Sequence, residues 1–281
     1  MKPTRRQLLT TLAYTPLASL APQILHSATK ATAFALIGDR YHNSDYIRTA
    51  LSLNIQRDLK VSIDFTDETT SLSEEMLNGY KMLIIHRDGM LWPDGYPDET
   101  SNAGWVATGK PKLVSDPPVA PTSAKPKDWI SPAQGKAVRK FVENGGVAMF
   151  YHNVTHVGLG DPDFRHVLGA AYAGHPPIRT FKVKVSNSNH PITKGVRDFV
   201  VTDEQHYMEY DKDRKYIFLE TVNEDGLLFN KSTTAPGGWS YDYGKGRICY
   251  LSPGHLLHVH RNPEYIKLQH NAIRWLLRQD S

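Results

Sequence analysis

Short apolar runs alternate with amphipathic segments through the first half of the chain. Residues 31–38 (ATAFALIG) form the first run, which ends at Asp39. In residues 44–59 the apolar positions Tyr46, Ile47, Ala50, Leu51, Leu53 and Ile55 recur at helical spacing, which predicts an amphipathic helix. Residues 60–65 alternate as a strand does. Ser71 to Glu74 carries the S-x-x-E pattern that opens a short helix. Residues 81–85 (KMLII) are a second buried strand, ending at His86. Ser131, Pro132 and Gln134 supply an N-cap, an N1 proline and an N3 glutamine for a helix with Val138, Phe141 and Val142 on its apolar face. Gly145-Gly146 end that helix, and residues 147–151 (VAMFY) are the next buried strand, ending at His152. Continuous apolar strands between helices imply a parallel sheet covered on both faces.

Two stretches depart from this rhythm. Residues 91–130 hold Trp92, Trp105 and Trp129 among seven prolines. The length, low periodicity and tryptophans predict an insertion that forms a lid or wall over a site. From Phe181 the texture becomes strictly alternating (FKVKV), with further strand-like runs at 199–202, 216–222 and 227–229. Gly237-Gly238-Trp239 lead into 241–243, the turn Gly244-Lys245-Gly246 follows, and residues 247–251 are the last buried strand, ending at Ser252-Pro253-Gly254-His255. An amphipathic helix over 263–278 closes the chain. The expected fold is therefore α/β and doubly wound, a mainly parallel, flavodoxin-like sheet with an antiparallel β extension.

Composition changes this picture in two ways. A single cysteine, Cys249, excludes a disulfide framework and any multi-cysteine metal site, and its apolar neighbours mark it as core. Thirteen histidines mean that any metal would have nitrogen and oxygen ligands. The formal charge of +4 is misleading, because residues 1–30 contain Lys2, Arg5, Arg6 and Lys30 and no acid. The remainder is close to neutral, so no nucleic-acid partner is expected. Arg5-Arg6-Gln7-Leu8-Leu9 before a modest apolar stretch reads as a twin-arginine export signal over residues 1–30. The expected location is periplasmic or secreted, with residues 31–281 as the working domain. Thr10, Thr11, Thr15 and Pro16 leave that stretch too polar to span a bilayer.

Candidate chemistry lies at the strand ends. Ligands of an open parallel sheet bind outside the carboxyl ends of its strands, and here those ends carry Asp39 (with His42 beyond it), His86, His152 and His255. Each histidine alone is more often structural; their coincidence at four strand exits is the signal. Asp203-Glu204-Gln205-His206-Tyr207 is a second polar cluster, in which only one of the two consecutive acids can face the rim. His156, His166 and His175 lie in loop-like sequence with no assignable partner, and His258 and His260 admit surface or substrate-contact roles. No G-x-S-x-G and no P-loop or strand-linked G-x-G-x-x-G is present, so neither a hydrolase serine nor a nucleotide cofactor is supported.

Four segments carry a family resemblance: Glu143-Asn-Gly-Gly146 with the strand into His152; His190-Pro-Ile-Thr-Lys-Gly195; Asp203-Glu204 with Tyr207; and Trp239 through Tyr243-Gly-Lys-Gly-Arg247 to Gly254-His255, with Trp275 in the last helix. The chain resembles the trehalose-utilisation (ThuA-like) family, whose fold is similar to class I glutamine amidotransferases. The resemblance implies a role in sugar catabolism, on disaccharides or their keto derivatives. In the amidotransferases a cysteine nucleophile follows the strand and glycine pair; here His152 takes that place, so thiolate hydrolysis of glutamine is not expected.

The leading expectation is an exported enzyme that cleaves or isomerises a keto-sugar or glycoside. A divalent metal such as zinc or manganese would be held by His42, His152, His255 and Glu204, with His152, His255 and Glu204 as the catalytic groups. Asp39, His86, Trp92, Trp105, Trp129 and Tyr207 are the expected substrate contacts, since aromatic faces suit the C–H faces of sugars. A non-catalytic sugar-binding protein and a metal-free hydrolase using His255 and Glu204 are the alternatives. Homo-oligomerisation is left open.

Overall fold

The computed structural model describes residues 30–92 and 125–279. The export signal, Trp105 and most of the 91–130 insertion therefore lie outside the described residues. In chain order the strands are β1 (Ala33–Ile37), β2 (Ile63–Thr66), β3 (Met82–His86), β4 (Met90–Leu91), β5 (Lys127–Asp128), β6 (Val147–Tyr151) and β7 (Ala170–Gly174). They continue as β8 (Arg179–Val185), β9 (Phe199–Asp203), β10 (Tyr207–Tyr210), β11 (Ile217–Val222), β12 (Thr234–Tyr243) and β13 (Gly246–Leu251).

Nine of these form one sheet in the order β2-β1-β3-β6-β13-β12-β11-β8-β9. The first five lie parallel and the rest pair antiparallel. β1, β3 and β6 are buried along their whole length. Their alternate side chains enter two separate cores. Ala33, Ala35 and Ile37 join Met82 and Ile84 under the helices Ser44–Leu51 and Pro263–Leu276. Phe34 and Leu36 join Leu83 and Ile85 under Pro132–Glu143 and Pro162–Leu168. A period of two that is apolar on both sides is what a sheet covered on both faces requires. Among the described residues no helix is long and apolar enough to cross a membrane.

Register sets the position of the site. Ile37 pairs with His86 and Tyr151 with Leu251, so β1, β3, β6 and β13 end at a common level. Asp39, His86, His152 and the loop to His255 share that rim.

Several local expectations change. The helix predicted over 44–59 is α-helical only for Ser44–Leu51 and continues as a π-helical segment, Ser52–Arg57. Within that segment Asn54 is buried, and its side chain donates to the His260 carbonyl at 2.8 Å. The short helix after β2 is capped by Ser73, whose hydroxyl accepts from Met76 N, and not by Ser71, which lies in a 3₁₀ turn. Residues 227–229 form only an isolated bridge, Phe229 to Ser232. β12 runs straight through Gly237-Gly238 because these glycines lie flat on the neighbouring strand. A Cβ on Gly238 would meet Leu219 and Phe218 at 3.0 Å. The separate antiparallel pair β7–β10 has no counterpart in the sequence reading.

Candidate functional site

His152 follows β6 directly, at the start of the 3₁₀ turn His152–His156. Its φ of 46° is left-handed, a conformation that costs a non-glycine residue energy and recurs at functional turns. Glycine at 254 leaves room for it: a Cβ there would lie 3.3 Å from His152 Cβ. The ring is fixed by its Nδ1, 2.8 Å from the Ser252 carbonyl oxygen. A carbonyl only accepts, so Nδ1 carries a hydrogen and Nε2 is the nitrogen left to present a lone pair. That Nε2 lies 3.5 Å from Glu204 Oε2.

His42 is held in the same manner. Its Nδ1 lies 2.7 Å from Asp39 Oδ1, and Asp39 accepts further from the backbone N–H of Tyr41, His42 and Asp88 and from Asn153 Nδ2. His42 Nε2 then faces His255 Nδ1 at 2.8 Å, and His255 Nδ1 lies 3.2 Å from Glu204 Oε2. One ligand-capable atom from each of His42, His152, Glu204 and His255 lies within 4.8 Å of the other three. All four residues are buried. His175 and His206 also lean on Glu204, through Nε2–Oε1 at 3.7 Å and Nε2–Oε2 at 3.2 Å.

The local charges are consistent with this crowding. Burial alone would raise the Glu204 carboxyl, but contacts with His255, His152 and His206 outweigh it and hold the group well below the usual carboxylate range. Burial likewise opposes ionisation of Asp39, and the His42 pairing, helped by Arg87 and the Asp88 N–H, overcomes it. Burial pushes the His42 imidazole down to about 4 against the pull of Asp39, and pushes His206 well below its ordinary value. His255 goes the other way: burial alone would lower it, but Glu204, Asp203 and Asp39 outweigh burial and raise its imidazole. The carboxylates here thus draw positive charge to the centre, the electrostatics that also favours a cation.

A cavity of about 260 Å³ opens beside this centre. Its wall includes Glu204, His42, His175 and His206, with His156, Asn153, Asp88, Tyr41, Tyr172 and Met90 completing it. A larger groove of about 820 Å³ lies at the opposite ends of the strands, around Tyr80, Lys81, Gly146 and Arg278. Its titratable lining is Glu74, Glu75, Tyr80, Lys81, Lys140 and Arg278, with no histidine among them.

The sequence pattern of the trehalose-utilisation family, ThuA, matches residues 118–276. The chain belongs to the ThuA family. Solved ThuA-like proteins share its fold. One from Parabacteroides merdae superposes with a TM-score of 0.63 at 14% identity, covering 89% of this chain and 91% of that one. Another, from Bacteroides uniformis, gives 0.57 at 18% identity, covering 90% and 95%. No curated protein matches the sequence significantly. In this ThuA-family chain the lone Cys249 is sealed inside β13, and burial pushes its thiol up, while His152 stands at the strand exit.

The predicted metal set of His42, His152, His255 and Glu204 is assembled as a unit. The expected substrate contacts are placed less uniformly. Asp39 is engaged on both oxygens and supports His42. His86 is fully buried, its ring stacked on Tyr151 at 5.4 Å and beside His260 at 5.3 Å. Trp92 packs edge-on against Tyr41, which lines the cavity. Trp129 is buried in the core and spends its indole N–H on the Asp88 carbonyl at 2.6 Å. Tyr207 turns away from the cavity, with its hydroxyl on the Ser232 carbonyl and its ring against Phe229. Of the consecutive acids, Glu204 faces the histidines. Asp203 points into the following loop and accepts from the backbone N–H of Gly254, His255 and Leu256.

The sequence placed His206 only within the 203–207 cluster, left His156 and His175 without partners, and did not single out Asn153 or Tyr172. His206 carried a usable signal, since residues two apart on an extended segment share a side. His175, Asn153 and Tyr172 reach the cavity from segments the apolar pattern did not resolve.

Proposed function

We propose that this ThuA-family protein is an exported carbohydrate-active enzyme that acts on a keto-sugar or glycoside with the help of one divalent metal ion. The observation that supports it most strongly is the set of four ligand-capable atoms within 4.8 Å, from His42, His152, His255 and Glu204. Two of these imidazoles already spend their other nitrogen on Asp39 and on the Ser252 carbonyl, the outer contacts that orient metal-binding histidines. Zinc or manganese suits three imidazoles and a carboxylate. Such an ion supplies Lewis-acid polarisation of a carbonyl or hydroxyl oxygen and a more acidic bound water.

The chain's own residues do the rest. Tyr41, Tyr172 and Met90 offer apolar wall area to the C–H face of a sugar ring, beside Asp88 and Asn153 for its hydroxyls. A volume of 260 Å³ sits just under the range of about 300–1,000 Å³ typical of drug-sized ligands, which fits a single sugar unit. Among the wall histidines, His175 and His206 lean on Glu204. We assign proton movement at the substrate to His156, which burial keeps neutral near pH 7.

The test is metal content and turnover of purified wild-type protein beside His152→Ala, assayed on 3-keto-glycosides and the parent disaccharides. Bound metal near stoichiometry, its loss in the variant and a fall in turnover of at least 100-fold are expected. Saturable sugar binding without product would overturn the enzymatic reading, and full activity after chelation would overturn the metal.

A further inference from the structure

The centre holds more imidazole than one ion can order. Three histidines and one Glu204 oxygen complete a four-ligand set, yet His175 and His206 remain beside the same carboxylate. We propose that the site takes a second divalent cation, held by His175, His206 and a bridging Glu204. This rests on the metal reading above and extends it.

Hydrogen-bond direction carries the argument. His175 Nδ1 lies 2.8 Å from the Pro176 carbonyl oxygen, so that nitrogen carries a hydrogen and Nε2 is the one left to present a lone pair. The lone pair faces Glu204 Oε1 at 3.7 Å. Two electron-rich atoms set against each other at that distance call for positive charge between them. The same argument applies to His152 Nε2 and Glu204 Oε2, at 3.5 Å on the other side of the carboxylate. Each Glu204 oxygen is therefore approached by an Nε2 whose ring carries its hydrogen on Nδ1, His175 at Oε1 and His152 at Oε2, while His206 Nε2 and His255 Nδ1 lie in donating range of Oε2 at 3.2 Å.

The second set has site geometry of its own. Ligand-capable atoms of His175, Glu204 and His206 lie within 4.8 Å of one another. The His175 and His206 rings stack nearly parallel, 5.1 Å apart at 10°. A carboxylate that bridges two ions sets them about 3.5–4 Å apart.

The two positions differ in access. His175, His206 and Glu204 line the cavity, whereas His152 and His255 are fully buried behind it. The second cation is the one that meets a sugar oxygen, with coordination positions left open by its three protein ligands. The inner one reaches the cavity only through His42 and Glu204, its other two ligands being fully buried.

Cobalt(II) titration of the metal-stripped full chain tests this, read by elemental analysis after desalting and by visible absorption. Wild-type protein is expected to bind two equivalents. His175→Ala and His206→Ala should each weaken the second equivalent at least tenfold and leave the first. Because His175 is partly exposed, its variant keeps the test available should the His206 variant not fold. Saturation at one equivalent, unchanged in His175→Ala, would overturn the second site and leave the single-metal reading standing. Failure of the wild type to bind cobalt, zinc or manganese would overturn both.

Discussion

Asp203 shows how much of a site is held by groups that never touch its contents. Its carboxylate gathers the N–H groups of Gly254, His255 and Leu256, at 2.7, 3.3 and 3.1 Å, and so fixes the loop that carries His255. Asp203→Ala strands those donors in a fully buried place. The expected cost is about 3 kcal/mol, read as a lower urea midpoint, together with a weaker grip on metal through a looser His255. Unchanged stability would show that the loop holds itself. At this scale the sequence was half legible. Four apolar runs ending in polar residues pointed to His42, His152 and His255, because a strand exit is visible wherever hydrophobicity stops. The companion of Glu204 at His206 was visible in principle through its spacing. His175 was not, because it reaches Glu204 from just beyond the strand Ala170–Gly174, whose sequence AAYAG carries no clear hydrophobic alternation.

Elements carry a different part of the family likeness. Glu143-Asn-Gly-Gly146 and Tyr243-Gly-Lys-Gly246 read in the sequence as separate motifs, and in the fold they are one contact. Gly244, at φ +59°, packs on the Glu143 backbone, Lys245 N donates to the Glu143 carbonyl at 3.0 Å, and Gly246 lies against the Gly146 and Val142 carbonyls. This contact sits where β6 and β13 begin, at the opposite ends of those strands from the histidines. It closes the sheet against the helix Pro132–Glu143 and takes no part in the chemistry. A Cβ on Gly246 would fall 2.0 Å from the Gly146 oxygen, a backbone clash that no side-chain rotation relieves. Gly246→Ala should therefore destabilise by at least about 3 kcal/mol with metal stoichiometry per folded molecule unchanged. A variant with normal stability would mean that the turn relocates. The β12 glycines act in a related way: glycine usually marks a turn, but at Gly237 and Gly238 it lets two strands approach closely, which only the pairing reveals.

At the scale of the whole molecule, the parallel half was legible because a strand buried on both faces needs an unbroken apolar run, while the order of strands and the level of their ends depend on pairing across long separations. That arrangement packs several histidines into one interior, and it has a consequence for acid stability. His260 is fully buried behind the rim, with Nε2 3.2 Å from the Gly254 carbonyl oxygen and Nδ1 without a partner. Burial, reinforced by His152, pushes it from 6.5 down to about 4. The unfolded chain thus binds a proton at this residue below about pH 6.5 that the folded chain refuses until about pH 4. Its contribution to stability is complete above pH 6.5 and is lost as pH falls through that window. The loss reaches about 2 kcal/mol at pH 5 by linkage. His260→Gln keeps a donor for Gly254 and removes the proton-binding site. Urea unfolding at pH 7 and pH 5, with metal removed from both proteins, should show a fall in stability between the two pH values that is smaller in the variant by about that amount. Equal falls in the two proteins would show that His260 takes up its proton without unfolding the chain.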